Sequence, residues 1–172
     1  RAFARISVAL AKFLANKRCI PVVAEAMEAL GGMGYVEDTR LPLLYREAPL
    51  NGIWEGSGNV ICLDILRTLA KEPLAAETLA AELDAAKGTD RRYDTALSDA
   101  RARWPGAVPE AEARAFAERM ATLLTAAQLI RHAPAAVAEG YVLARLGREG
   151  GLIHATAGGL DTGAILNRLA PG

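Results

Sequence analysis

The helical spacing of the apolar residues constrains this chain more than any other feature. Over residues 2–30, large apolar side chains return every three or four positions within an Ala-rich background: Phe3, Ile6, Leu10, Phe13 and Leu14. That period places them on one face of a helix, and abundant Ala and Leu favour helices. No stretch of useful length alternates with period two, as a half-buried strand would. The sequence therefore predicts an all-α fold, a helical bundle.

Proline and glycine residues divide this bundle into helices. Pro21 predicts a kink near Arg18 in the first helix, and the glycines at 31–34 end that helix. We expect a loop that carries Pro42 and Pro49 to follow, and then a largely apolar, central helix that begins near Gly58 and ends before Pro73. Further helices are predicted over residues 75–87, 90–103, 110–131, 134–146 and 161–169, with a turn at 147–151.

Composition excludes several classes of protein. The chain has 172 residues, and its 20 basic residues balance its 20 acidic ones, so the total charge does not indicate a nucleic-acid or membrane partner. Without a spanning apolar run or a secretory signal, we expect a cytoplasmic protein. Cys19 and Cys62 are predicted to be buried free thiols. His132 and His154 have no partners at ligand spacing, so we expect no metal.

The segment 53–59, Ile-Trp-Glu-Gly-Ser-Gly-Asn, is the strongest candidate for a site. It places Glu55 between Trp54 and Gly56 just before a helix. Apolar cover raises the pKa of a glutamate, and glycines let a substrate approach the backbone, so Glu55 is a candidate general base. The alternative is that Glu55 is a first-turn charge that complements the helix dipole.

Other polar residues have two readings each. Ser57 and Asn59 are candidate donors to phosphate or ribityl oxygens of a ligand at the helix start, or they cap their own helix. Arg67 reaches back towards the Glu55 loop, or pairs with Asp64 one turn earlier.

The glycines at 31–34 also have two readings. They bring a nucleotide close to the backbone, or form a plain helix end. A dinucleotide-binding fingerprint is excluded, because it needs a preceding strand.

Three motifs together resemble the C-terminal helical domain of acyl-CoA dehydrogenases: AMEALGGMGY at 26–35, LYRE at 44–47 and IWEGSGN at 53–59. The spelling WEGSGN, with KRCIP upstream and CLDILR downstream, is similar to the AidB-like branch, which is linked to the adaptive response to alkylation. The resemblance covers residues 6–69 strongly. It implies a family domain at 1–72 that is truncated at its N-terminus, and an AidB-like helical extension at 73–172. The chain also begins without Met inside a running helix, so we expect it to be part of a longer protein.

The resemblance implies a role for each motif residue. Glu55 would be the base that removes the α-proton of an acyl-CoA, with its backbone N–H polarising the thioester carbonyl. Trp54 and Gly56 would contact the acyl-CoA substrate, and Trp54, where Tyr is common, would narrow the acyl pocket. The cofactor FAD would be contacted by five residues: Glu28, Gly31, Gly32, Ser57 and Asn59.

This sequence departs from the family in ways that change the expectations. Glu28 stands where the family usually has Gln, and a carboxylate accepts hydrogen bonds without donating them. The lobes that cover the flavin in the family are absent. We therefore expect the isolated chain to bind flavin poorly and to be inactive.

Two rival functions follow from the resemblance. AidB-type proteins are associated with DNA, but from Pro73 onward 11 Lys and Arg face 12 Asp and Glu, which supports DNA binding weakly. Small basic clusters at 91–92, 101–103 and 145–148 remain. Alternatively, the chain is a helical oligomerisation module, because the family assembles through this domain, here expected as a homotetramer. The acyl chain length and the electron-transfer partner are not predicted.

Overall fold

The computed structural model describes residues 1–147 and 157–169, and over those residues it is helical without strands. The all-α prediction is confirmed. In chain order the helices are α1 Ala2–Ala29, α2 Gly32–Tyr35, α3 Leu41–Glu47, α4 Gly58–Lys71, α5 Pro73–Asp84, α6 Arg91–Arg103, α7 Ala113–His132, α8 Ala135–Leu146 and α9 Thr162–Asn167. None of these helices is long and apolar enough to cross a bilayer.

Helix α1 ends where the glycines predict. Gly31 has a φ of +58°, in the left-handed region that favours glycine, and its N–H donates to the Glu28 carbonyl at 2.9 Å. Pro21 lies inside α1 without ending it. A proline removes one intrahelical donor, and the 28-residue helix continues past it.

The expected loop after α1 is wrong in part, because short helices occupy much of it. Helix α2 follows Gly31 directly, and α3 is followed by a 3-10 turn, Ala48–Gly52. Pro42 is the second residue of α3, and Pro49 is the second residue of the 3-10 turn. A proline is tolerated there, since the first N–H groups of a helix have no intrahelical partner. The prolines thus start these segments instead of marking a loop.

The later helices match their predicted ranges to within a few residues. Asp90 caps α6 by accepting a hydrogen bond from the Arg92 N–H at 2.8 Å. Helix α5 ends three residues before the prediction, and Gly88 follows at a φ of +82°. Residues 148–151 of the predicted turn, together with His154, lie outside the described residues.

The chain divides into two compact units, the first of which comprises Arg1–Ala75 and Val108–Ala121. Within it α1 packs against α4, α2, α3 and the 3-10 turn. The core consists of inward-facing apolar side chains, chiefly Ile6, Leu10, Phe13, Ile61, Ile65, Phe116 and Met120. Val60 on α4 is 59% exposed. Within this unit α4 is therefore buried on one side, whereas the sequence predicted a central helix.

The second unit comprises Ala76–Ala107 and Thr122–Gly172. Helix α6 packs against α8, and α8 packs against α9. Tyr93 is fully buried, and its hydroxyl donates to the Leu83 carbonyl at 2.6 Å. Burial raises the pKa of Tyr93, so this hydroxyl keeps its proton and the hydrogen bond joins α6 to α5.

Asp84 should give this unit a defined acid sensitivity. Hydrogen bonds from Arg101, at 2.9 and 3.0 Å, and from Lys87 lower the pKa of Asp84 to about 2. Because the pKa is depressed in the folded state, the stabilisation is present above about pH 4 and is lost as the pH falls towards 2. The pair is exposed, so we expect Asp84→Asn to cost less than about 1 kcal/mol at neutral pH.

The measurement is the free energy of unfolding in urea between pH 7 and pH 2 for the wild type, Asp84→Asn and the control Asp99→Asn, an exposed aspartate on α6. The wild-type and Asp84→Asn curves should converge as the pH falls through the Asp84 pKa. A constant gap between them across this range would show that the Asp84 carboxylate is not the titrating group.

Candidate active site

The segment that carries Glu55 is a tight turn between the 3-10 turn and α4. The N–H groups of Ile53 and Trp54 both donate to the Leu50 carbonyl, at 2.9 and 3.2 Å. Ser57 is the N-cap of α4 with extended backbone, and its carbonyl accepts from the Ile61 N–H at 3.0 Å. Only Glu55, Gly56 and Ser57 therefore connect Trp54 to the first residue of α4.

Glu55 has a strained backbone. Among residues 1–147 and 157–169 it is the one non-glycine residue with a positive φ, +52°, and Gly56 follows at +105°. A residue with a Cβ in the left-handed region costs roughly 1–3 kcal/mol, and such strain persists when surrounding contacts hold it. Functional sites are common places for it.

Lys12 on α1 supplies the contacts that hold this turn. Its Nζ donates a hydrogen bond to the Glu55 carbonyl at 2.6 Å and another to the Trp54 carbonyl at 3.2 Å. Because both hydrogen bonds are exposed, each is worth about 0.5–1.5 kcal/mol, and together they oppose the strain. Over the described part of the chain, the N–H of Glu55 has no acceptor, so it is available to a ligand.

Glu55 lines a groove of about 490 Å³ within the first unit. The groove lies along α1 and α4, and its lining includes Arg5, Val8, Lys12, Ile61 and Asp64. This volume lies within the range of small-molecule sites, roughly 300–1,000 Å³. Arg5 donates two hydrogen bonds to the Asp64 carboxylate, at 2.8 and 2.9 Å, and this pair links α1 to α4.

The apolar cover that the sequence predicts for Glu55 is not supplied by this part of the chain. Glu55 is exposed, and the Trp54 side chain is 54% exposed. The alternative reading of Glu55 as a first-turn charge is also not what the structure has, because Glu55 precedes the N-cap of α4 by two residues.

Donor groups gather at the start of α4. Ser57 makes no side-chain cap hydrogen bond, so the self-capping alternative is not observed for it. The Asn59 Oδ1 accepts from Arg114 at 2.9 Å, which leaves its amide N–H groups free to donate. The first N–H groups of α4 have no intrahelical acceptor and suit an anion.

Two cations crowd the buried Gly58 beside these donors. A Cβ placed on Gly58 would lie 2.8 Å from the Lys17 Cε and 3.3 Å from an Arg114 nitrogen. The Arg114 guanidinium also lies 5.8 Å from the centre of the Phe13 ring. Burial raises the pKa of the nearby Cys62 thiol, although Arg114 and Lys17 oppose that shift, so Cys62 stays a buried thiol.

The other predicted cofactor residues lie at the far end of α1. Glu28, Gly31 and Gly32 are exposed there, eleven or more residues beyond Lys17, which corresponds to about 16 Å along the helix. A Cβ on Gly32 would meet nothing within 4 Å. The structure therefore brings Ser57 and Asn59 together near Glu55, but places Glu28, Gly31 and Gly32 elsewhere.

Arg67 lies within α4, and its guanidinium is 3.9 Å from the Asp64 carboxylate. This is the pairing that the sequence left as the alternative to a contact with the Glu55 loop. Lys12, Arg5 and Arg114 were not predicted, because a lysine or arginine on an Ala-rich helix has no sequence signature that reveals its partner. Among the described residues, no cluster of three or more His, Cys, Asp or Glu could hold a metal.

Comparison with known proteins identifies the family that the first part of the chain matches. Residues 2–70 match the family described as acyl-CoA dehydrogenase, C-terminal domain. The resemblance to this family of oxidoreductases, which the sequence predicts, is confirmed for these residues.

Individual relatives extend the match beyond residue 70. The chain is 40% identical over 152 residues to the putative acyl-CoA dehydrogenase AidB of Escherichia coli, which covers 87% of this chain and 28% of that protein. It is 46% identical over 66 residues to acyl-CoA dehydrogenase family member 11 of Caenorhabditis elegans, covering 38% of this chain and 11% of that protein.

A solved structure shares the fold. The crystal structure of Caenorhabditis elegans ACDH-11 in complex with C11-CoA superposes with a TM-score of 0.63 at 29% identity, covering 88% of this chain and 30% of that one. The chain thus spans less than a third of the length of these relatives.

The glycine motif offers a test of its own packing. A Cβ on Gly34 would lie 2.0 Å from the Met27 carbonyl oxygen, which is backbone and cannot move aside, whereas Gly32 in the same helix has open space. We expect Gly34→Ala to cost about 1–3 kcal/mol of the free energy of unfolding, and Gly32→Ala to change it by less than about 1 kcal/mol. Urea denaturation of both variants measures the free energy of unfolding. Equal losses in the two variants would contradict the close contact between Gly34 and the Met27 carbonyl.

Proposed function

We propose that this chain is the C-terminal helical part of an FAD-dependent acyl-CoA dehydrogenase in which Glu55 removes the α-proton of the thioester. The observation that carries the proposal is the Glu55 turn: a strained carboxylate residue, held by Lys12, lines a groove of about 490 Å³ and has an unused backbone N–H. The solved structure of Caenorhabditis elegans ACDH-11 in complex with C11-CoA, which shares this fold, supports an acyl-CoA ligand.

Proton removal next to a thioester needs both a base and carbonyl polarisation. The α-proton is weakly acidic, and a donor that stabilises the developing enolate oxygen lowers the barrier. Glu55 offers both groups from one residue, with its carboxylate as base and its N–H as donor. A bound flavin would supply the acceptor for the hydride that leaves the β-carbon.

The residues present fit a bound flavin. The unused Ser57 hydroxyl, the amide N–H groups of Asn59 and the first N–H groups of α4 are donors suited to an oxygen-rich cofactor. At the other end of α1, the open face of Gly32 lets a ligand approach the backbone, beside Gly31. Glu28 contributes an acceptor in place of the usual amide. Since these two sets lie apart, we propose that they contact two flavins in a homo-oligomer.

The proposed assembly has support in the surface of the first unit. Large apolar side chains are exposed there, among them Tyr35, which is 78% exposed, and Trp54, Leu43, Leu44 and Leu50. We propose that the remaining lobes and neighbouring subunits of a cytoplasmic homotetramer cover them. In this assembly residues 1–72 form the family domain and residues 73–172 an AidB-like extension. As in the family, the role would lie in fatty acid metabolism.

Replacing the base tests the proposal directly. In the full-length protein, we expect Glu55→Gln to retain flavin and to lower α-proton exchange by about 100- to 10,000-fold, because a positioned base contributes that much. Exchange is measured by deuterium incorporation into an acyl-CoA, and Glu72→Gln, an exposed glutamate just after α4, is the control. Undiminished exchange in Glu55→Gln would remove Glu55 from the mechanism.

DNA binding is the rival function, and the described contacts disfavour it. Three arginines of the predicted extension pair with carboxylates: Arg92 with Asp90 at 2.6 Å, Arg101 with Asp84 at 2.9 Å, and Arg131 with Glu82. Such paired arginines contribute little net attraction to phosphate.

We therefore expect gel-shift titrations of the full-length protein with duplex DNA to show no retardation at physiological salt. Strong retardation that weakens steeply as salt is added would contradict this expectation and support DNA binding, because phosphate contacts release counterions.

A further inference from the structure

We propose that Lys12 is a positioning residue for the reaction at Glu55, because it sets the direction of both groups that Glu55 contributes. This inference rests on the proposed function. The Lys12 Nζ donates to two consecutive carbonyls, those of Trp54 and Glu55, at 3.2 and 2.6 Å. Two contacts from one cation fix the orientation of two adjoining peptide planes.

The planarity of the peptide bond carries the first part of the inference. In a trans peptide, the Trp54 carbonyl and the Glu55 N–H lie in one plane and point in opposite directions. The bond from Lys12 to the Trp54 oxygen therefore turns the Glu55 N–H away from α1. That N–H has no acceptor in residues 1–147 and 157–169, so its direction is left for a ligand to use.

The positive φ of Glu55 carries the second part. The Cα–Cβ bond of Glu55 projects from a backbone with a φ of +52°, a conformation that a residue with a side chain rarely adopts. The 2.6 Å hydrogen bond to the Glu55 carbonyl lies on the peptide plane that follows this φ. Without it, the turn would relax towards ordinary backbone, and the carboxylate would point elsewhere.

Lys12 is not diverted to another partner within the described chain. The carboxylate that lines the same groove, Asp64, is occupied by two hydrogen bonds from Arg5. The ammonium has three donors, of which two serve the turn. A neutral side chain of similar length would fill the space of Lys12 but donate to neither carbonyl.

The test uses the full-length protein with three substitutions. Lys12→Met removes the donors and keeps the length, Lys12→Arg keeps a cation that can donate, and Lys71→Met is a control at an exposed lysine in the last turn of α4. The readouts are kcat and KM with an acyl-CoA, flavin content, melting temperature, and the carbonyl stretching frequency of the bound thioester, which reports polarisation by the Glu55 N–H.

We expect Lys12→Met to lower kcat by about 10- to 100-fold with KM changed less than about threefold, since misplacement by roughly an ångström costs about that much. The bound carbonyl should lose part of its shift to lower frequency. Lys12→Arg should restore most of both effects, and Lys71→Met should change neither.

Other outcomes would overturn the inference. An unchanged kcat in Lys12→Met, a raised KM with unchanged kcat, or a failure of Lys12→Arg to do better than Lys12→Met would each do so. If Lys12→Met does not fold with flavin, Lys12→Leu, which also lacks a donor, takes its place and the same ordering against Lys12→Arg is required. A wild-type protein without α-proton exchange would instead refute the proposed function, whereas exchange that depends on Glu55 and not on Lys12 would refute this inference alone.

Discussion

The hydrogen bonds from Lys12 to the turn before α4 are the interaction on which the site depends. Helix α1 buries Ile6, Leu10 and Phe13 in the core of the first unit, which fixes the position of the helix. From that fixed helix, Lys12 holds the Trp54 and Glu55 carbonyls. Hydrophobic packing thus locates the scaffold, and a charged donor then stabilises a backbone conformation that packing alone would not favour.

Much of the fold could be predicted from the sequence, because its determinants are local. Apolar spacing located the helices, and Gly31 adopts the left-handed conformation expected at the end of α1. The loop predicted at Pro42 was wrong, because Pro42 lies at the start of α3. A proline either ends a helix or starts one, and neighbouring contacts decide which. The role of Lys12 could not be predicted, because its hydrogen-bond partners are 42 and 43 residues away in sequence. The motif thus identified the proposed base, but the residue that holds it became visible only in the structure.

The residues beyond 72 also contribute to the first unit. Arg114 donates to Asn59 and lies against the buried Gly58 and over the Phe13 ring. An AidB-like extension, as proposed for residues 73–172, would therefore help to shape the start of α4 as well as adding helices of its own. In the same region Arg92 and Arg101 pair with Asp90 and Asp84, which favours a structural role for these two arginines.

The most direct measurement is a crystal structure of the full-length protein with flavin and an unreactive thioether analogue of an acyl-CoA. The account predicts that a Glu55 carboxylate oxygen lies about 3–3.5 Å from the carbon that corresponds to Cα, with Lys12 still bound to both carbonyls and the Glu55 N–H facing the ligand. A carboxylate directed into solvent, with another residue beside that carbon, would contradict it.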